Sequence, residues 1–328
     1  MAYEKIRTKK WSPTIKVTFK SADGTKKVWE ANQMALIKNI QRIVEHYHKK
    51  GIALTLRQIY YQLVGEDLIP NAIEIYKKLG TIVTDMRYSG LLDWDAMEDR
   101  ARTIDRPSEW DSAKDLMNSA VSSFRLPRWN DQERYVELFS EKDAVYSVVQ
   151  PISRQYHIQL NINKGYNSAS NMYELAKRLA GKLKEGKPVV LLYLGDHDAS
   201  GLDMVRDIKE RVQEILENGN EYTYPEFKIV PVALTMAQIN KLKLPPNPAK
   251  ITDPRAKWYI KKFGNTSWEL DALKPEIMRE IVEDAVLKVI DLPKYQAWID
   301  KEKVLKDKLQ KYADTLTKKK KDNNEPYV

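Results

Sequence analysis

The feature that most constrains the fold is an unbroken apolar run, Val189–Leu194, which is followed at once by the polar segment Gly195-Asp-His-Asp198. A short apolar run of this kind is typical of a strand that is buried on both faces of a sheet. Similar strand patterns alternate with helical patterns on either side of it. The predicted strands are Tyr135–Phe139, Ile158–Ile162, Val189–Leu194 and Lys228–Ala233, and the predicted helices are Ala144–Gln155, Ser168–Leu183 and Leu202–Leu216. This alternation predicts an α/β region built on a mostly parallel sheet with helices on both faces.

The residues before this region have a different pattern. Two short extended runs flank the turn signal Asp23-Gly24, and three helical patterns follow them, at Gln33–Lys49, Thr55–Val64 and Ala72–Arg87. Three short helices with a tight turn before the middle one resemble a winged-helix unit, which lays one helix against duplex DNA. We predict a further helix over residues 109–124. A proline-rich connector near residue 246 leads into a helical segment that ends near residue 316.

Charge is concentrated at the two ends of the 328-residue chain, whose net charge is +9. Residues 1–30 hold eight Lys and Arg against three Asp and Glu, and residues 301–328 hold nine Lys against five Asp and Glu. Basic ends on a neutral body suit a polyanionic partner, although solvated tails are an equally good interpretation of Lys318–Lys321 alone. No apolar stretch is long enough for a membrane span or a secretory signal, so we expect no membrane partner and a cytoplasmic, nucleoid-associated protein.

The chain has no cysteine and only four histidines, which excludes disulfides, a cysteine nucleophile and cysteine-based zinc or iron–sulfur sites. Carboxylates, in contrast, stand where a parallel sheet places its ligands. Glu141 follows one predicted strand, and Asp196 and Asp198 follow another, so all three should meet at the carboxyl edge of the sheet. Such a group suits Mg²⁺, with Mn²⁺ as the alternative metal. The competing interpretation is that Asp198 only caps the next helix and that Glu141 is a surface residue.

The helix over Thr55–Val64 carries a second group of residues. Leu56, Ile59, Tyr60 and Leu63 share one apolar face, whereas Arg57 and Tyr61 are four residues apart on another. This spacing predicts that Tyr60 packs in the core and that Tyr61 is an exposed phenol beside a guanidinium. An amphipathic helix with one exposed tyrosine is the simpler interpretation of the same pattern.

Taken together, the two groups resemble a known family. Glu141-Lys142 after one strand and Gly195-Asp-His-Asp-Ala-Ser-Gly-Leu-Asp203 after another resemble the Toprim domain, the Mg²⁺ domain of topoisomerases, bacterial primases and some nucleases. Leu56-Arg-Gln-Ile-Tyr-Tyr61 upstream resembles the A subunit of topoisomerase VI and the related meiotic double-strand-break transesterase. Free-standing relatives called Mini-A are the most similar in layout. The expected fold is therefore α/β plus α, with a winged-helix (CAP-like) domain at 1–107, a linker helix at 108–132, a Toprim domain at 133–244 and a helical C-terminal segment with a basic tail at 245–328.

The resemblance implies a Mg²⁺-dependent DNA-cleaving transesterase that acts on double-stranded DNA as a homodimer. It implies that Tyr61 is the nucleophile, that Glu141, Asp196 and Asp198 hold the metal, and that Glu141 also serves in catalysis. Arg57 is expected to stabilise the charged phosphorus centre, and Arg57, Arg87 and Lys142 are the expected DNA contacts. The tyrosine of one protomer would meet the metal of the other.

Two departures from the family limit this expectation. Gln58 stands where the family usually has an acidic residue, and the chain has no Gly-rich phosphate loop. ATP-driven strand passage would therefore need a separate ATPase subunit as a partner. Two other functions are compatible with the same residues: a hydrolytic Toprim nuclease of a mobile-element or defence system, and a non-catalytic DNA-binding subunit. A primase is disfavoured because no cysteines are available for its zinc-binding module.

Overall fold

The structure is a computed structural model of the chain, and it describes residues 8–21, 24–97, 107–162, 169–217 and 227–318. These residues divide into two compact units. The first unit comprises residues 1–100 and 136–286, and the second comprises residues 101–135 and 287–328. The predicted winged-helix and Toprim segments thus contribute to the same compact unit. The division of the chain into separate winged-helix and Toprim domains remains a prediction.

The first unit begins with an antiparallel hairpin, β1 (Thr14–Lys20) and β2 (Lys26–Asn32), in which Ile15 pairs with Ala31 and Val17 with Trp29. Gly24 has φ +82°, which a side chain would strain, and this allows the tight turn between the strands. Asp23, the other predicted turn residue, lies outside the described residues. The hairpin is therefore confirmed in the part that the structure describes.

Three helices follow the hairpin at the predicted places. They are α1 (Gln33–His48), α2 (Leu56–Gly65) and α3 (Ile73–Tyr88). Asn32 caps α1 by accepting a hydrogen bond from Ala35 N at 2.9 Å. Thr55 and Gln58 form a capping box at the start of α2, as expected for a Thr at this position with a Gln three residues on.

The rest of the first unit is built on a four-stranded sheet in the order β4-β3-β5-β6. Its parallel pairs include β3 with β4 and β5 with β6. The strands are β3 (Tyr135–Ser140), β4 (Gln159–Ile162), β5 (Val189–Leu194) and β6 (Phe227–Ala233), and the helices between them are α5 (Tyr146–Gln155), α6 (Ala169–Lys184) and α7 (Ala199–Glu217). All four strands and all three helices occur where the sequence predicted them. Every residue of β5 is buried, as the unbroken apolar run indicated.

The segment between β6 and the C-terminal helices is more structured than a stiff connector. Thr235 caps α8 (Met236–Leu242), and β7 (Asn247–Pro248) pairs antiparallel with β8 (Thr266–Ser267) on either side of α9 (Ala256–Phe263). A 3₁₀ turn over Leu270–Ala272 leads into α10 (Pro275–Leu287). Helices α8 and α9 were not predicted from the sequence, because seven and eight residues are too few for a clear helical periodicity.

The second unit contains α4 (Ala113–Ser123) and the long α11 (Leu292–Lys318), which pack on each other. Helix α4 begins four residues later than predicted, at the point where Ser112 accepts a hydrogen bond from Asp115 N. Among the helices in the described ranges, none has both the length and the apolar character that a bilayer span requires.

Candidate functional site

The candidate site lies at the carboxyl ends of β3 and β5, which are neighbouring strands. Glu141 follows β3, and its Oε1 accepts a hydrogen bond from the backbone N of Asp196, which follows β5, at 2.7 Å. The backbone N of Glu141 in turn donates to Leu194 O at 3.3 Å. The structure therefore brings Glu141 and Asp196 together through the sheet, as the strand pattern predicted.

Two glycines of the motif make this close approach sterically feasible. A Cβ on Gly201 would lie 2.2 Å from the carbonyl oxygen of Asp196 and 3.0 Å from Glu141 Oε1. A Cβ on Gly195 would lie 2.3 Å from the hydroxyl oxygen of Tyr193, which donates to Gly201 O at 3.0 Å. A larger residue at Gly201 would push the carboxylate-bearing turn away from the strand ends, and one at Gly195 would displace the buried ring of Tyr193.

Asp198 has a different environment from Asp196. Its Oδ1 accepts a hydrogen bond from Gly201 N at 2.8 Å in the first turn of α7, and its Oδ2 lies 3.4 Å from Lys250 Nζ. Asp198 therefore caps α7 through Oδ1, in agreement with the helix-capping interpretation. The second carboxylate oxygen remains oriented toward a cation.

Lys142 lies at the centre of a cluster of three carboxylates. Its Nζ is 2.8 Å from Asp196 Oδ1, 3.1 Å from Glu269 Oε2 and 3.1 Å from Asp271 Oδ2. The guanidinium of Arg57, at the start of α2, forms an ion pair with the same Glu269. We call these residues, Arg57, Lys142, Asp196, Glu269 and Asp271, the Lys142 cluster. It links the first turn of α2 to the carboxyl edge of the sheet.

Negative charge in this region is not fully compensated. Burial, together with the neighbouring Glu141, raises the pKa of Asp196 to about 7, although Lys142 acts in the opposite direction. Burial also raises the pKa of Glu141, and the nearby Asp198 adds to that shift. Asp271 is 1% exposed, and its Oδ1 has no hydrogen-bond partner among the described residues. An orphaned buried carboxylate oxygen costs free energy, which is a common property of functional sites.

A cavity of about 760 Å³ opens beside this cluster. Arg57 and Arg87 line it from the helices, and Glu141, Lys142 and Asp196 line it from the sheet. Five of the seven side chains that the sequence singled out therefore face one space within the first unit. Two do not line it, namely Tyr61 and Asp198.

The predicted exposure of Tyr61 is wrong. Tyr60 and Tyr61 are each 4% exposed, and every residue of α2 from Gln58 to Val64 is buried. The prediction from periodicity requires one face of α2 to meet solvent, whereas α1, α3 and the 3₁₀ turn over Leu270–Ala272 all pack against this helix. Between Gln58 and Val64 the helix therefore has no face toward solvent, whatever its polar pattern.

The two phenols nevertheless have different partners. The hydroxyl of Tyr60 accepts a hydrogen bond from Ala72 N at 2.7 Å and donates to Asn71 Oδ1 at 2.9 Å. The hydroxyl of Tyr61 accepts one from Asn247 Nδ2 at 2.7 Å. Burial raises the pKa of Tyr61 well above its usual range, and the nearby Glu269 adds to this shift. Tyr61 is therefore held as a neutral phenol beneath Asn247.

Gln58, which departs from the family pattern, has a structural role at the start of α2. Its Oε1 accepts a hydrogen bond from Thr55 N at 2.9 Å, and its Nε2 donates to Ala144 O at 3.3 Å. The amide thus caps α2 and joins it to the turn after β3. A carboxylate at this position could not make the second contact, because it has no hydrogen to donate.

The donor chemistry around Glu141 and Asp196 fits a hard divalent cation. The predicted ligands Glu141, Asp196 and Asp198 offer only oxygen atoms, and the raised pKa values of two of them reflect excess negative charge that a cation would relieve. In the described ranges, however, no three acidic or histidine side chains are arranged as a ready metal-ligand set. Lys142 forms the close cationic contact with Asp196.

Two residues of this region were not predicted from the sequence. Glu269 and Asp271 belong to the Lys142 cluster, and their Glu-Leu-Asp spacing repeats the alternation of Asp196 and Asp198, a signal that could have revealed them. His197 is 3% exposed, and its ring packs against Phe263 at 4.7 Å between centroids. This histidine is a core residue that holds the turn in place.

Comparison with known proteins adds no family assignment. A scan against models of protein families finds no match for the chain, and a search of curated proteins finds no similar sequence. The function is therefore inferred from the chemistry and geometry of the site itself.

Proposed function

We propose that the protein is a DNA-cleaving transesterase of the topoisomerase VI A type, with a winged-helix segment and a Toprim-like sheet. The observation that carries this proposal is the shared cavity, which two arginines from α2 and α3 and two lysines line together with five acidic side chains, Glu141 and Asp196 among them. Cationic side chains of this kind bind phosphate, and the carboxylates suit the metal that phosphoryl transfer requires. The substrate is double-stranded DNA, and the active form is a homodimer.

In the proposed reaction the phenol oxygen of Tyr61 attacks a DNA phosphorus atom and loses its proton. The P–O3′ bond breaks, the 3′ oxygen takes up a proton, and a 5′-phosphotyrosyl link forms. Arg57 and Lys142 stabilise the negative charge that develops on the phosphorus centre. Glu141, Asp196 and Asp198 would hold Mg²⁺, which when bound supplies further neutralisation of that charge.

Tyr61 must be uncovered before it can react. Its hydroxyl is hydrogen-bonded by Asn247, and β7, which carries Asn247, would have to move away from α2. A raised pKa makes the buried phenol a poor nucleophile, so DNA or the second protomer must supply a cationic environment. Strand passage driven by ATP would need a separate ATPase subunit.

The same burial favours one alternative function. If Tyr61 stays beneath Asn247, the nucleophile is water and the protein is a hydrolytic Toprim nuclease, in which Arg57 and Lys142 keep their roles. The two functions differ in one product, because only the transesterase leaves DNA covalently attached to protein.

A covalent-adduct assay separates them. Supercoiled DNA labelled along its length is incubated with the protein and Mg²⁺, the mixture is denatured, and protein-bound label is measured. We expect an adduct with the wild type, none with Tyr61→Phe, and none in excess EDTA. Cleavage by Tyr61→Phe at the wild-type rate would assign the reaction to water.

Tyr60→Phe is the matched control for the adjacent hydroxyl. It removes the acceptor for the buried N–H of Ala72, so we expect the free energy of unfolding to fall by about 1–3 kcal/mol. The adduct should still form at a temperature where the variant is folded. Loss of the adduct in folded Tyr60→Phe, with Tyr61→Phe active, would place the nucleophile at Tyr60.

A further inference from the structure

Helix α9 presents a basic and aromatic face to solvent. Lys257, Trp258, Lys261 and Lys262 are all exposed and lie at i, i+1, i+4 and i+5, which places them on one side of the helix. The opposite side carries Ala256 and Tyr259, which are 4% and 1% exposed. The helix has no acidic residue. We call the four exposed side chains the α9 face.

The charges of the α9 face are uncompensated, in contrast to those of α1. Arg42 in α1 pairs with Glu66, and Lys50, two residues after the end of α1, pairs with Glu276. The three lysines of the α9 face form no ion pair within the described residues. Lys262 Nζ lies 5.8 Å from the centre of the Trp258 ring. The α9 face is thus positively charged, and no carboxylate in the part of the chain that the structure describes pairs with it.

Trp258 is 51% exposed, which leaves one side of a large aromatic ring in water. An exposed tryptophan surrounded by lysines matches the chemistry of a nucleic-acid strand, whose bases stack and whose phosphates are anionic. In a paired duplex the base faces are already stacked on each other. The ring therefore complements an unpaired base.

The α9 face is fixed to the candidate site by a short path. The hydroxyl of Tyr259 donates to His197 O at 2.7 Å, and His197 lies between Asp196 and Asp198. Lys250, in the loop before α9, reaches Asp198 Oδ2 at 3.4 Å. Tyr259 and Lys250 therefore connect α9 and the loop before it to the segment that carries Asp196 and Asp198.

We propose that the α9 face binds an unpaired stretch of DNA next to the cleavage site, with Trp258 stacked on a base and the three lysines on phosphates. This inference rests on the proposed function, since it specifies how DNA would be held beside the same site. It extends that function by assigning a surface for single-stranded DNA to α9.

The test uses the full chain in EDTA, so that binding is measured apart from cleavage. Fluorescence anisotropy with a labelled single-stranded oligonucleotide, a paired duplex and a gapped duplex gives the affinities at several salt concentrations. Trp258→Ala should weaken binding to the single strand and the gapped duplex by about 5- to 150-fold, the effect of losing one base stack. Binding to the paired duplex should stay within about twofold.

The combined variant Lys257→Gln, Lys261→Gln and Lys262→Gln should reduce the salt slope for the single strand by about 2, because each lost phosphate contact contributes roughly 0.7. Trp110→Ala is the matched control, since Trp110 is 46% exposed and belongs to the second unit. It should leave every affinity unchanged.

Three results would overturn the proposal: no binding of unpaired DNA by the wild type, unchanged affinity and slope in both α9 variants, or a changed molecular mass of Trp258→Ala in light scattering with DNA affinity intact. The last result would assign the face to self-association. If no DNA is cleaved but the α9 variants change DNA binding as expected, the proposed function is rejected while the α9 face is still a binding surface for unpaired DNA.

Discussion

Each compact unit buries a group of charged side chains, and the two groups differ in how well the charges are balanced. In the second unit, Glu302 accepts hydrogen bonds from Arg128 Nη2 at 2.9 Å, Arg128 Nε at 3.2 Å and Leu126 N at 2.9 Å, and Lys306 Nζ lies 3.2 Å away. In the first unit, Lys142 is shared by three carboxylates, and one oxygen of Asp271 has no partner among the described residues. Glu302 is thus one carboxylate that receives several hydrogen bonds, whereas Lys142 is one ammonium group shared among several carboxylates.

The pKa values follow this difference. Burial alone would raise the pKa of Glu302, but hydrogen bonds from Arg128 and Leu126 lower it to about 2. At Asp196 burial prevails over Lys142, and the pKa rises to about 7. A satisfied ion pair stabilises its fold, whereas an acid-rich cluster holds charge that a ligand could neutralise. The comparison favours a structural role for the Arg128–Glu302 pair and makes the Lys142 cluster the candidate for the proposed function.

The largest expected effect would come from Asp196→Asn. We expect DNA cleavage to fall roughly 10³-fold or more, because the change removes a predicted metal ligand whose loss costs several kcal/mol of charge stabilisation. The free energy of unfolding at neutral pH should not fall, since the folded state disfavours the charge that is removed. Cleavage rates and urea denaturation of the same preparation provide the check. A destabilised variant that still cuts DNA would reverse the assignment of roles.

In contrast to Asp196→Asn, Arg128→Met should lower the stability of the protein and leave DNA cleavage unchanged. It leaves the buried carboxylate of Glu302 without its two-pronged partner, so we expect a loss of about 3–5 kcal/mol in unfolding free energy and no change in the cleavage rate of folded protein. The double variant with Glu302→Met should recover most of that loss, because two apolar side chains leave no unpaired charge. A double variant as unstable as Arg128→Met would show that the loss comes from packing and not from charge.

The change of the unfolding free energy with pH should also depend on the Arg128–Glu302 pair. The pKa of Glu302 is lowered in the folded state, so its ionised carboxylate contributes to the free energy of unfolding. That contribution is present above the pKa of about 4.3 that a Glu has in the unfolded chain, and it is lost as the pH falls toward about 2. The contribution is on the order of 3 kcal/mol. Urea denaturation between pH 2 and 6 should therefore show a steeper decline for the wild type than for Glu302→Gln. Parallel curves would mean that Glu302 titrates normally in the folded protein.

The smallest overall effect is expected from Asp271→Asn in the Lys142 cluster. One hydrogen bond to Lys142 is weakened while an uncompensated negative charge is removed, so the unfolding free energy should change by no more than about 1 kcal/mol. We expect cleavage to decrease more than stability, because Lys142 loses one of the carboxylates that position it. A loss of 3 kcal/mol or more would make Asp271 a structural residue like Glu302.

Local patterns along the chain were sufficient to predict the sheet and its helices. The apolar run of β5, the strand before Glu141 and the alternation of strands and helices depend on neighbouring residues, and all appear in the structure. The meeting of Glu141 and Asp196 also followed from sequence, because adjacent parallel strands end at the same edge. The identity of the segments as winged helix and Toprim stays a prediction, and so do the roles of the seven site residues.

Other features depended on contacts between residues far apart in the chain. The helical spacing of Tyr60 and Tyr61 separated their directions, but it could not reveal that α1, α3 and the turn over Leu270–Ala272 pack around α2 and that residues 58–64 are all buried. Tyr61 is buried for that reason, with Asn247 on its hydroxyl from 186 positions away.

The sequence by itself determined where the strands end and therefore which carboxylates meet, because strand formation and parallel order depend on local apolar patterns. Only the tertiary structure decided which cations accompany those carboxylates. Arg57 reaches Glu269 across 212 positions, and Lys142 reaches Asp271 across 129, so neither pairing leaves a periodic signal in the chain. The charge balance of a buried site depends on such distant partners, since burial strengthens every electrostatic interaction that remains.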